Sequence, residues 1–354
     1  GEEKQTGSSI GEYCHQIDGA GGMNHYKETL RLGAPIMLGQ LGIIIVGFAD
    51  NIMVGHHSVQ ELAAASFVNN FFNLAFICGM GFSYGLTPIV GRLYSQKQED
   101  EIGGVLKNSL FLNGAVGVLL SLCMLFLLFR IDWLGQPEEL YPYIYPYYTL
   151  QLFSVIFTML FNSFKQFSDG TTDTFTPMCI MLGANVLNII GNYLLIYGHA
   201  GFPEMGLTGA GISTLLSRVL TLLVFAALFV SRQKYAAYLK GFRKAVLNKA
   251  DISKLVRLGI PVGFQMGVES ASFSLSVIMM GWIGSSALAA YQIGIVITTL
   301  GFMMYYGIGA AVAIRVSNFY GTFSIGEMKN AAKAGLNIMR ISMLLFISGL
   351  LLFR

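Results

Sequence analysis

Charge is what this chain has least of. Asp, Glu, Lys and Arg together make up 12% of it, against about 25% in an ordinary soluble domain. From Leu258 to Ile314 the one charged residue is Glu269. Cysteine is also scarce. Cys14, Cys78, Cys123 and Cys179 form no CxxC pair, which excludes a disulfide framework or a zinc site of the usual spacing. No GxSxG, HExxH or nucleotide-binding motif occurs, and no histidine falls inside a long apolar run. An intramembrane enzyme would need a nucleophile with its base, or metal ligands, in those runs, and an ATP-driven pump would need a phosphate loop. Neither is supported, and no cofactor is expected. A net charge of +3 gives no reason to expect a nucleic-acid partner.

What the chain has instead is hydrocarbon. Hydrophobic residues are 54% of it and its mean hydropathy is +0.60. Several uncharged runs exceed the roughly 20 residues that cross a bilayer as helix. The expected fold is an all-α polytopic membrane protein with spans near 32–55, 62–91, 103–129, 143–164, 177–198, 208–230, 254–283, 288–314 and 330–353. Basic residues gather on one side. Lys27, Arg31, Arg92, Lys97, Lys107, Lys165 and the run from Arg232 to Arg257 all fall on the side where the first span begins. By the positive-inside rule that side is cytoplasmic. A multi-pass protein of the bacterial inner membrane, with its N-terminus in the cytoplasm and acting as a monomer in the lipid bilayer, is the expectation. Residues 1–22 are polar and lack the apolar core of a signal peptide; they read as an upstream or non-native leader before Met23. The tyrosines of "YPYIYPYY" (141–148) suit an interfacial belt, and His56 and His57 are expected, solvated, in a short outer loop.

The chain also repeats. "LRLGAP" (30–35) lies on "VRLGIP" (256–261), and "IMVGHHSVQELAA" (52–64) lies on "IMMGWIGSSALAA" (278–290), both at a shift of 226 residues. Six spans separate the copies, an even number, so both enter the membrane in the same sense. This is a parallel repeat about an axis along the membrane normal. It divides the chain into a six-helix bundle (23–230), a basic, amphipathic cytoplasmic linker (231–253) and a second bundle (254–354). That second bundle holds three of six expected helices, nine of twelve in all.

A charged residue in mid-span costs about 2.5 to 3.5 kcal/mol on insertion scales and marks a pathway by default. Glu269 is one such residue, with Gln265 one turn away on the same face and Gln292 in the next span. Asp50, alone among apolar residues in the first span, is the other. In "ANVLNIIGNYLL", Asn185, Asn188 and Asn192 share one helical face. Asp50 lies 15 residues after Pro35, and Asn192 lies 15 after Pro177. The two should therefore sit at similar depth and form a polar pocket with Asn188, with Asn185 deeper. Asn69 and Asn73 are cavity candidates. Arg218 lies in mid-span with no partner evident from the sequence.

These stretches resemble the multidrug and toxic compound extrusion (MATE) family, in its NorM-like branch. The likeness runs from Asn24 to Arg354 and is carried by "ADNIMVGHHSVQELAAAS", "FSDGTTDTFTPM", "NVLNIIGNYLLIYG" with "GLTGAGIST", and "LGIPVGFQMGVES". The resemblance implies twelve helices in two bundles around a central cavity, exchanging cationic or aromatic compounds for Na⁺ or H⁺. Asp50 matches the acid of the family's D-x-x-M-x-G motif, Asn185 and Asn188 its fifth-span asparagine pair, and Glu269 the seventh-span Glu of that branch. The family's tenth-span aspartate would fall beyond Arg354, leaving a C-half cation site incomplete. The alternative is a flippase for lipid-linked oligosaccharides, of a related transporter fold. It would favour several cationic cavity residues, of which Arg218 is the single candidate.

Overall fold

The computed structural model describes residues 23–131 and 137–352. The leader at 1–22 lies outside the described residues, as does the side chain of Gln292. The described residues form α-helices without strands. They are α1 (Met23–His57), α2 (Val59–Ser83), α3 (Leu86–Ser95), α4 (Glu99–Phe129), α5 (Tyr141–Gly170), α6 (Phe175–Ile196), α7 (Gly206–Ser231), α8 (Ala236–Lys244), α9 (Lys249–Ile283), α10 (Ser285–Gly321) and α11 (Ile325–Leu352). Among the described residues, eight helical stretches are long and apolar enough to cross a membrane, with α2 and α3 forming one of them.

The span expected at 254–283 lies in α9, a continuous 35-residue helix. Gln265, Glu269 and the serines 270, 272, 274 and 276 interrupt its apolar residues. The serines remain compatible with lipid because Ser272, Ser274 and Ser276 return their hydroxyl protons to the carbonyls of Val268, Ser270 and Ser272 at 2.8 to 3.2 Å. That back-bonding satisfies the hydroxyl within its own helix.

The first bundle is held by two apolar clusters. One gathers Val68, Phe72, Ile144, Tyr148, Val155 and Met159, with Phe72 and Tyr148 edge to face at 4.7 Å. The other gathers Leu86, Leu106, Phe164, Phe167, Phe225 and Phe229. Tyr147 and Tyr148 are therefore core residues, 5% and 1% exposed, where a belt at the membrane surface was expected. They sit one turn further into α5 than Tyr141 and Tyr143, far enough for their rings to enter the bundle.

The internal repeat reappears as contact symmetry. Gly33 of α1 lies against Gly307 and Ala311 of α10, close enough that a Cβ on Gly33 would stand 3.2 Å from the Gly307 carbonyl oxygen. Adding 226 to Gly33 and subtracting it from Ala311 gives Gly259 and Gly85. A Cβ on Gly85 would stand 2.9 Å from the Gly259 nitrogen. The α1·α10 and α2·α9 contacts are images of each other. Gly91 packs on Ser317, and Gly321 packs on Ser95; each of these pairs consists of two repeat mates. A pseudo-two-fold axis therefore passes between α3 and the end of α10.

Candidate cation site in the first bundle

Three helices bring the polar groups of the first bundle together. Asp50 projects from α1. Asn188 and Asn192, one turn apart on α6, are 2% and 0% exposed. The Asn192 amide nitrogen donates to Asp50 Oδ1. Asn188, in the amide orientation that satisfies both its polar atoms, donates to the same oxygen at 3.0 Å and accepts from the Thr214 N–H at 3.2 Å. Ser213 on α7 donates to the Asn188 carbonyl at 2.8 Å. Asn192 Oδ1 is buried and has no hydrogen-bond partner among the described residues. A buried acceptor left open beside a carboxylate is the donor set a small cation completes, because leaving it empty carries the full desolvation cost. Asn185 stands apart, against Gly42, two turns along α1 from Asp50, with its Nδ2 also unpartnered.

A second polar chain runs beside this pocket. Tyr147 donates to Asn69 Oδ1 at 3.0 Å, Gln151 donates to the Tyr147 hydroxyl at 3.1 Å, and Arg218 donates to Gln151 Oε1 at 3.1 Å and to Ser154. The guanidinium also lies over the Phe76 ring, 4.3 Å from its centroid. Asn73, the other candidate on α2, is exposed. Tyr147, Gln151 and Ser154 escaped the sequence reading, although their spacing of four and three residues marks one polar stripe along α5.

The second bundle presents a different picture. Glu269 and Gln265 are exposed, and no hydrogen bond joins them to each other or to Asp50 among the described residues. Asp50 is on α1, packed on α6 and α10, while α9 packs on α2. At the far end of α1, His57 is not in a loop but closes the helix. Its Nδ1 meets Glu61 Oε2 and its Nε2 meets Glu204 Oε1, both at 2.8 Å. Glu61 also accepts the Leu207 N–H at 3.1 Å, so this bridge ties α1 and α2 to the start of α7. Among the described residues, no group of three His, Cys, Asp or Glu side chains is placed to hold a metal.

A polytopic helical bundle with an internal parallel repeat and ionisable groups inside its spans is the architecture of a membrane transporter. Residues 35–194 and 261–354 match the MatE family model, and the chain belongs to that family. Among its relatives, the probable multidrug resistance protein NorM of Photorhabdus laumondii is 30% identical over 92% of this chain and 70% of its own length. The multidrug resistance protein NorM of Vibrio cholerae is 28% identical over 89% and 70%. In fold, the chain is similar to a MOP superfamily transporter from Pyrococcus furiosus, with a TM-score of 0.80 at 21% identity over 93% of this chain and 72% of that one.

Proposed function

We propose that this protein is a secondary antiporter that moves cationic or aromatic compounds out of the bacterial cytoplasm across the inner membrane, driven by inward Na⁺ or H⁺. The observation that carries this reading is the open acceptor of Asn192 beside Asp50. The cation enters from outside, binds Asp50 with Asn188 and Asn192, and its binding displaces the compound held in the bundle. Inward movement of one charge supplies about 2.3 kcal/mol per 100 mV, before any concentration gradient. A Phe-, Tyr- and Met-rich interior suits an aromatic cation. Glu269 is the second coupling candidate, in the other bundle. The NorM relatives, named for multidrug resistance, support the substrate class.

The test is transport in liposomes holding the full chain, with Na⁺ and H⁺ gradients imposed separately and a fluorescent organic cation as cargo. Asp50→Asn is expected to abolish gradient-driven movement while the protein still inserts and folds. Undiminished coupled transport by Asp50→Asn would remove Asp50 from the mechanism. The same assay on Glu269→Gln reports whether the second bundle carries a coupling step of its own.

A further inference from the structure

Arg218 lies in mid-span and is half-buried, yet its partners among the described residues are neutral: Gln151, Ser154 and the Phe76 ring. Among the described residues no carboxylate lies within ion-pair distance of it. A guanidinium inside a spanning helix with no anion in contact is costly, so its charge is answered from further away. The fold supplies the answer. Thr214, whose N–H meets Asn188, precedes Arg218 by four residues on α7, about 6 Å along the axis and on the same face. Asn188 in turn donates to Asp50. Arg218 and Asp50 thus flank one amide and one helical turn.

We infer that Arg218 is the resident counter-charge of the Asp50 site, a positioning residue that stands in for the guest cation when the site is empty. This rests on the reading of Asp50 as a coupling group. With the site empty, Asp50 and Arg218 neutralise each other across the pocket, and neither needs a contact partner. When Na⁺ or a proton binds Asp50, Arg218 loses its counter-charge and repels the guest. The site therefore holds its cation loosely enough to release it, which a two-sided carrier requires. The polar stripe of Tyr147, Gln151 and Ser154 keeps the guanidinium from closing onto Asp50 and occupying the site permanently.

The sign of the expected effect separates this role from a structural one. Removing a positive charge next to a cation site tightens the site. Arg218→Gln is expected to lower the half-saturating Na⁺ concentration about tenfold, or to move the pH midpoint of coupled transport about one pH unit upward, and to slow turnover through delayed release. Arg218→Lys keeps the charge and is expected to keep the midpoint of the unsubstituted protein. If Arg218 only braces α5 against α7, both variants lose transport and stability together and the cation dependence of the remainder is unmoved; that result overturns the inference. A weaker cation affinity in Arg218→Gln overturns it as well. Asp50→Asn, run in parallel, distinguishes the two readings. Coupled transport that survives Asp50→Asn refutes the coupling site itself, whereas loss in Asp50→Asn with no shift in Arg218→Gln refutes the counter-charge alone.

Discussion

Glu61 is a buried acid, 7% exposed, whose place is set by what it accepts. One carboxylate receives the Leu207 N–H and the His57 ring, and the same ring reaches Glu204 with its other nitrogen. An ionised carboxylate can only accept, so two of them around one ring favour the imidazole with both nitrogens protonated. Gly206, at φ +54°, brings its backbone against the Glu61 carboxylate with no room for a side chain. Glu61→Ala leaves the Leu207 N–H at the start of α7 without its acceptor and removes one side of the bridge. The expected cost is about 2 to 3 kcal/mol, seen as a lower Tm in detergent, with Glu204→Ala costing less because Glu204 is largely exposed. Sequence alone gives two adjacent histidines, an acid four residues after His57 and a remote acid at Glu204. The bridge exists because α1 continues to His57 and the α6–α7 turn folds back on it, and neither fact is local to the residues involved.

At the scale of elements, the linker is the segment whose chemistry was most legible and whose attachment was least so. Its basic composition reads directly from the chain. Its docking depends on a remote loop: Lys234 Nζ meets Asp173 Oδ2 at 2.6 Å, and Tyr235 donates to the same oxygen at 2.7 Å. Lys107 donates to the Ala245 carbonyl at 2.8 Å, and the Asn248 N–H meets Asn108 Oδ1 at 2.9 Å. Burial pushes the Asp173 carboxyl upward, but the bonds from Lys234, Tyr235 and Thr176 outweigh it and hold the group below its ordinary value. The folded value is the lower one, so the stabilisation is complete above the ordinary carboxylate range and fades as pH falls through the folded-state value. Asp173→Asn is expected to loosen the linker at neutral pH by about 1.5 to 3 kcal/mol, read as faster hydrogen exchange over 233–248. Once pH has fallen below that lowered folded-state value, the variant and the unsubstituted protein should converge. Exchange over 233–248 that is the same in both proteins at neutral pH would show that the linker does not depend on this contact. The helices themselves were largely readable because hydrocarbon leaves a backbone no other way to satisfy itself.

For the whole molecule, the repeat explains where the bundles meet and why the two meeting places differ. The named inter-bundle contacts lie toward the end of the molecule where α1 begins: Gly33 with Gly307, Gly85 with Gly259, and the axial pairs Gly91·Ser317 and Ser95·Gly321. One of the two related corners is also bolted. Arg315, 7% exposed, donates to the His25 carbonyl and to Thr29 Oγ1 at 2.8 Å, and His25 Nε2 meets Glu327 at 3.0 Å. The repeat mates of Arg315 and His25 are Ile89 and Asp251, so the other corner lacks this bolt. In its place lies a cavity of about 1830 Å³ lined by Ile89, Glu101, Asn108, Asp251 and Arg257. If the bundles rock to open this end, the axial pair must part. Cysteines at Gly91 and Ser317, with Cys14, Cys78, Cys123 and Cys179 replaced by Ser, face each other across the axis, where a Cβ on residue 91 would stand 3.0 Å from the Ser317 Cβ, and are placed to cross-link on oxidation. Oxidation is expected to stop transport of the organic cation and a reductant to restore it, with the disulfide verified by mass spectrometry. Full transport with the bond in place would mean that the halves do not separate at the axis, and that any opening at this end occurs around the unbolted corner with α3 and α10 moving as one body.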